Sequence, residues 1–151
     1  MKSRILLVDD ELDNSSIFKI GLEDAGFEVD AYNDPELALS AFKSNYYHLL
    51  LLDIRMPKMD GYELYAKIRI MDDNVKVCFL TASVEGYRED YRESFASLSS
   101  HSSSSSDVSF LFKPITIDDL AKKVNEMIYY INWKFFLLCF YYLHGLAMIF
   151  N

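Results

Sequence analysis

At 151 residues with 51% hydrophobic side chains, the chain is long enough for one domain with a two-sided core and too short for two ordinary ones. Its formal net charge of −8 comes with no clustered run of Lys or Arg, which argues against nucleic-acid binding, since phosphate backbones are held by such clusters. Cys78 and Cys139 show no CxxC or Cys/His spacing for zinc and read as reduced cytosolic thiols, while the apolar run at Ile5 is too short for a signal-peptide core.

In chain order, short apolar runs at Ile5 to Val8, Glu28 to Tyr32, His48 to Leu52, Val75 to Leu80 and Ser109 to Phe112 predict five strands. Helical spacing follows each in turn: Phe18, Leu22 and Ala25; Leu37, Ala38, Ala41 and Phe42; Leu64 and Ile68; Tyr87, Tyr91, Phe95 and Leu98; Leu120, Val124 and Ile128. The punctuation agrees, with Asp34-Pro35 as a helix cap and first turn, and Gly26 closing the first helix. Continuous apolar strands, above all Leu49 to Leu52, predict a doubly wound α/β fold whose five-stranded parallel sheet has helices on both faces. The division expected is a domain over residues 1–130, with a serine-rich loop insertion over 97–109 between the fourth predicted helix and fifth strand, then an apolar aromatic tail over 131–151.

Chemistry in such a sheet collects at the carboxyl ends of the strands. Asp9 and Asp10 follow the first strand and Asp53 follows the third, so three carboxylates converge and repel one another until a cation neutralises them. Oxygen-only ligation with few protein ligands suits Mg²⁺, held by Asp10, Asp53 and the backbone carbonyl of Arg55, with Asp9 acting through water. Thr81 and Lys113 end the next two strands and add the donors a phosphoryl group needs, so that Asp53 attacks phosphorus while the cation and Lys113 neutralise charge. Taken singly, each acid also reads as a helix cap, the Lys113-Pro114 step as a turn and Thr81 as a strand-end cap; the combination is what points to phosphoryl transfer.

The segments Ile5 to Glu11, Leu51 to Gly61, Leu80-Thr81-Ala82 and Phe112-Lys113-Pro114 resemble the receiver domain of two-component response regulators, over roughly residues 1 to 130. That resemblance implies a flavodoxin-like sheet and phosphoryl transfer to Asp53 from a sensor histidine kinase or phosphotransfer protein. It makes Asp9 and Asp10 the acidic pair, Thr81 the switch hydroxyl, Lys113 the phosphate-contacting lysine and Phe110 the aromatic switch, whose alternative is a plain core Phe. Signalling through the face formed by the fourth helix, fifth strand and fifth helix would then reach a downstream protein, as a single-domain regulator without a DNA-binding output and without external catalytic turnover.

Two other classes compete. A haloacid-dehalogenase-like phosphohydrolase also uses a strand-end Asp, but its second acid would fall at Arg55. A receiver that binds partners without being phosphorylated fits poorly with the intact acceptor set. The tail is about long enough to cross a bilayer, though Asn132, Lys134, His144 and Gly145 interrupt it; it reads as a membrane anchor, as a helix packing on protein or a second copy, or as an incidental extension. Lysines on its N-terminal side keep the domain cytoplasmic in the first case.

Overall fold

The computed structural model describes residues 2–82 and 107–129. Within them the chain runs β1 (Arg4–Val8), α1 (Leu12–Asp24), β2 (Glu28–Tyr32), α2 (Pro35–Ala41), β3 (Leu49–Asp53), α3 (Gly61–Met71), β4 (Lys76–Thr81) and β5 (Val108–Phe112). A final described helix, α4, covers 117–129 and is the fifth helix of the sequence reading. The fourth expected helix, residues 97–106 of the serine-rich loop and the tail over 131–151 lie outside the described residues.

All strand pairs are parallel and the order is β2-β1-β3-β4-β5, the flavodoxin-like winding. The pleat sorts side chains by parity, since successive residues of a strand face opposite sides. Ile5, Leu7, Leu49, Leu51, Cys78 and Leu80 meet Phe18 and Leu22 of α1 and Leu120 and Val124 of α4. Leu6, Val8, Leu50, Leu52, Val77 and Phe79 meet Ala38 of α2 and Leu64 and Ile68 of α3. Leu49 to Leu52 have no exposed surface, which accounts for a run of four leucines where a one-sided sheet would alternate. Each contributes roughly 1.5–3 kcal/mol by leaving water.

Strand limits differ from the sequence reading by about a residue. His48 precedes β3 and instead borders β1, its backbone N–H donating to the Arg4 carbonyl at 2.9 Å and its Nδ1 accepting from the Arg4 N–H at 3.0 Å. Val108 and Ser109 lie in β5, so those two residues of the 97–109 span are strand. Leu37, one of the helical apolar positions, is 60% exposed, because α2 buries Ala38 and Pro35 instead.

The caps fall where the sequence placed them. Asp34 Oδ1 accepts from the Glu36 N–H at 2.8 Å with Pro35 opening α2, and Gly26 follows α1 at φ 98°, a left-handed turn that glycine adopts without strain. Among the described residues no helix is long and apolar enough to cross a membrane.

Candidate functional site

The register brings the strand ends level. Val8 pairs with Leu52, Asp53 with Leu80 and Thr81 with Phe112, so the residues ending or following β1, β3, β4 and β5 share one edge of the sheet. One carboxylate oxygen from each of Asp9, Asp10 and Asp53 lies within 4.8 Å of the others. Asp9 has no exposed surface, Asp53 and Thr81 are buried, and Asp10 is half-buried.

Lys113 Nζ stands between two of the acids, 2.8 Å from Asp9 Oδ2 and 3.4 Å from Asp53 Oδ2. The sequence reading paired Lys113 with Asp53; the structure brings it closer to Asp9, the more deeply buried of the two carboxylates. Its backbone N–H donates to the Thr81 carbonyl at 2.8 Å, which ties the ammonium and the hydroxyl to adjacent strand ends, and the Lys113-Pro114 peptide is cis. Burial works against the Lys113 charge, but its bond to Asp9 and the field of Asp53 outweigh that and hold the ammonium above its ordinary range.

Asp53 is pushed up to about 6, chiefly by loss of water, with Lys113 opposing and Asp9 and Asp10 adding repulsion. A carboxylate that pays this cost when charged is poised to gain from a cation. Three hard oxygen donors without His or Cys fit Mg²⁺ or a similar ion. Arg55, whose carbonyl was expected as a ligand, is an exposed residue of the loop after β3, two positions beyond Asp53. Phe110 is half-buried on β5, its ring 5.4 Å from that of Phe79 across the strand pair.

Two features escaped the sequence reading. Asn33, just after β2, donates through Nδ2 to the Asp9 carbonyl and to Ser15 Oγ, both at 2.7 Å. Val8 pairs with Tyr32, so Asn33 follows β2 at the same edge as Asp9, Asp53, Thr81 and Lys113, and that strand-end position is its signal in the sequence. The other is Gly61, which opens α3. A Cβ there would lie 2.3 Å from the Asp53 carbonyl oxygen and 3.2 Å from the Ile54 Cα, while its N–H donates to the Ile54 carbonyl at 2.9 Å. The start of α3 thus presses on the backbone of the central acid, and no side chain fits between. Gly61→Ala is expected to lower stability by about 1–3 kcal/mol in urea denaturation, the range for forced overpacking; an unchanged midpoint would show that α3 yields freely.

A winding of this order with a carboxylate cluster and a lysine at the carboxyl edge defines the class of doubly wound α/β domains built around an acidic, cation-ready centre. Sequence comparison supplies the family: the model of the response regulator receiver domain matches residues 5–125. The receiver protein CpdR of Brucella abortus is 30% identical over 83% of this chain and 96% of its own. The transcriptional regulatory protein RprY of Bacteroides fragilis is 28% identical over 88% of this chain, which spans 52% of that relative's length. Among solved structures, Thermotoga maritima TrrA, in complex with Mg(2+)-BeF, superposes at TM-score 0.65 with 33% identity, covering 84% of this chain and 99% of that one.

The chain belongs to the response regulator receiver domain family. Its fold is the flavodoxin-like one expected, and the family is a two-component signalling one, generally non-enzymatic, phosphorylated on Asp with Mg²⁺ at an acidic pocket. Receiver domains work with histidine kinases or phosphotransfer proteins and with downstream targets.

Proposed function

We propose that residues 1–130 form a cytoplasmic receiver that accepts a phosphoryl group on Asp53 from a histidine kinase or phosphotransfer protein. The observation that carries this reading is the Lys113 ammonium set between Asp9 and Asp53 at the edge where the three acids converge. Asp10, Asp53 and the Arg55 carbonyl would hold Mg²⁺, with Asp9 reaching it through water. Bound there, the cation would offset charge on the transferring phosphoryl oxygens.

This chain's residues supply the rest. An Asp53 carboxylate oxygen forms the new bond to phosphorus as the bond to the donor's imidazole nitrogen breaks, giving an acyl phosphate and a neutral imidazole once that nitrogen is protonated. Lys113 then neutralises a phosphoryl oxygen, and Thr81, buried one strand away, turns its hydroxyl to another. That movement leaves room for Phe110 to turn inward and alter the face to which β5 and α4 contribute. The downstream partner is a protein.

The test is intact-mass measurement after incubation with acetyl phosphate. A gain of one phosphoryl group that requires Mg²⁺ is the expected result, and no gain with Mg²⁺ present overturns the reading.

A further inference from the structure

The metal-facing acids sit on a loop, and something must fix its orientation. Asp10 is only half-buried, and it reaches the site from the short connection between β1 and α1. Both main-chain polar groups of its neighbour Asp9 are tied to the end of β2: the N–H donates to the Tyr32 carbonyl at 3.2 Å, and the carbonyl accepts from Asn33 Nδ2 at 2.7 Å.

That carbonyl and the Asp10 N–H belong to one planar peptide unit, so holding the oxygen fixes the plane from which Asp10 departs. The same amide nitrogen of Asn33 spends its second hydrogen on Ser15 Oγ, also at 2.7 Å. Ser15, itself buried, donates its hydroxyl to the Leu12 carbonyl at 3.1 Å. The Asp9 side chain closes the loop from inside, Oδ1 accepting the Glu11 N–H at 3.0 Å. One amide therefore grips the connection at both ends, at residue 9 where the strand stops and at residue 15 in the first turns of α1.

We propose that Asn33 is a positioning residue for divalent-cation binding, orienting the Asp9-Asp10 peptide so that the Asp10 carboxylate faces Asp53. The proposal rests on the reading that the acidic centre takes Mg²⁺. Asn33 does not touch the cation; it acts through the backbone of the acids that do. An alanine at this position donates to neither partner, and a carboxylate there presents no donor to the Asp9 carbonyl.

The experiment is Mg²⁺ titration by calorimetry on the full chain, as wild type, Asn33→Ala and Asn33→Asp, with urea denaturation in EDTA to confirm folding. Asn33→Ala is expected to raise the Mg²⁺ dissociation constant on the order of tenfold, the usual effect of losing an outer partner of a metal site. The Mg²⁺ concentration needed for half-maximal labelling by acetyl phosphate should rise in step, while the rate at saturating Mg²⁺ stays within about twofold, as expected where binding alone is lost.

Asn33→Asp separates positioning from charge. A carboxylate added beside a cation site tightens Mg²⁺ binding if only the field matters, whereas loss of the donor weakens it; weakening is expected. Tighter binding by Asn33→Asp, or an unchanged dissociation constant in both variants while the wild type binds, overturns the proposal. If Asn33→Ala does not fold, Asn33→Asp decides alone. A wild type that binds no Mg²⁺ overturns the metal reading, and this proposal with it.

Discussion

Asp53→Asn should end Mg²⁺-dependent phosphoryl acceptance from acetyl phosphate and, in the same protein, raise the stability of the metal-free fold near neutral pH. The two effects share a cause. Asp53 lies against Lys113 but also against Asp9 and Asp10, and burial pushes its carboxyl from 3.8 up to about 6. A carboxyl raised on folding makes the charged form costly in the native state. The cost is absent below pH 3.8, grows between there and about 6, and is complete above. Two pH units correspond to roughly 3 kcal/mol, which partial contact with solvent reduces to about 1–2 kcal/mol. Urea denaturation in EDTA should therefore show the variant ahead by about that amount at pH 7.5 and level with wild type at pH 4. Added Mg²⁺ should close the gap from the other side, since a cation that binds only the folded wild type stabilises it by mass action. A variant less stable than wild type at pH 7.5 in EDTA would mean that the Lys113 pair outweighs burial at this site.

Much of the fold was legible because a sheet buried on both faces leaves an unmistakable trace. Leu49 to Leu52 cannot alternate with polar residues when Leu49 and Leu51 meet one helical layer and Leu50 and Leu52 the other. Helix faces were less legible: Ile17 and Ile20 of α1 are 56% and 61% exposed, so apolar identity does not mark the buried stripe, which is carried by Ser15, Phe18 and Leu22. The acids were legible for a topological reason, since parallel strands of similar length must deliver their final residues to one edge.

The contacts among those residues were not. Lys113 reaches Asp9 across 104 positions of chain, and which of two nearby carboxylates it favours depends on depth within the crevice, which no spacing records. The approach of Gly61 to the Asp53 carbonyl and the grip of Asn33 on the Asp9 carbonyl both involve backbone oxygens. Every residue carries such an oxygen, so sequence gives no sign of which ones matter.

Removing Lys113 should shift stability the opposite way from removing the charge on Asp53. In Lys113→Met the aliphatic stem is largely kept and the ammonium lost, so the change isolates charge from packing. Asp9, without exposed surface, then loses a donor at 2.8 Å and Asp53 loses one at 3.4 Å, while their oxygens stay within 4.8 Å of each other and of Asp10. Stripping one partner from a buried pair leaves an uncompensated charge and costs about 3 kcal/mol or more. For a chain of this size that is a fall of about 10 °C in Tm in EDTA at pH 7.5. The cost should shrink as pH falls through the raised Asp53 value, because a protonated acid no longer repels its neighbours. Mg²⁺ should restore most of the loss and bind at lower concentration than in wild type, since a competing cation has gone. Phosphoryl acceptance should remain depressed even at saturating Mg²⁺, by on the order of a hundredfold, the scale for losing one preorganised charge-stabilising donor. A Lys113→Met protein as stable as wild type in EDTA would show that water, and not the lysine, balances the buried acids; a variant labelled at the wild-type rate would remove Lys113 from the chemistry while leaving its structural place intact.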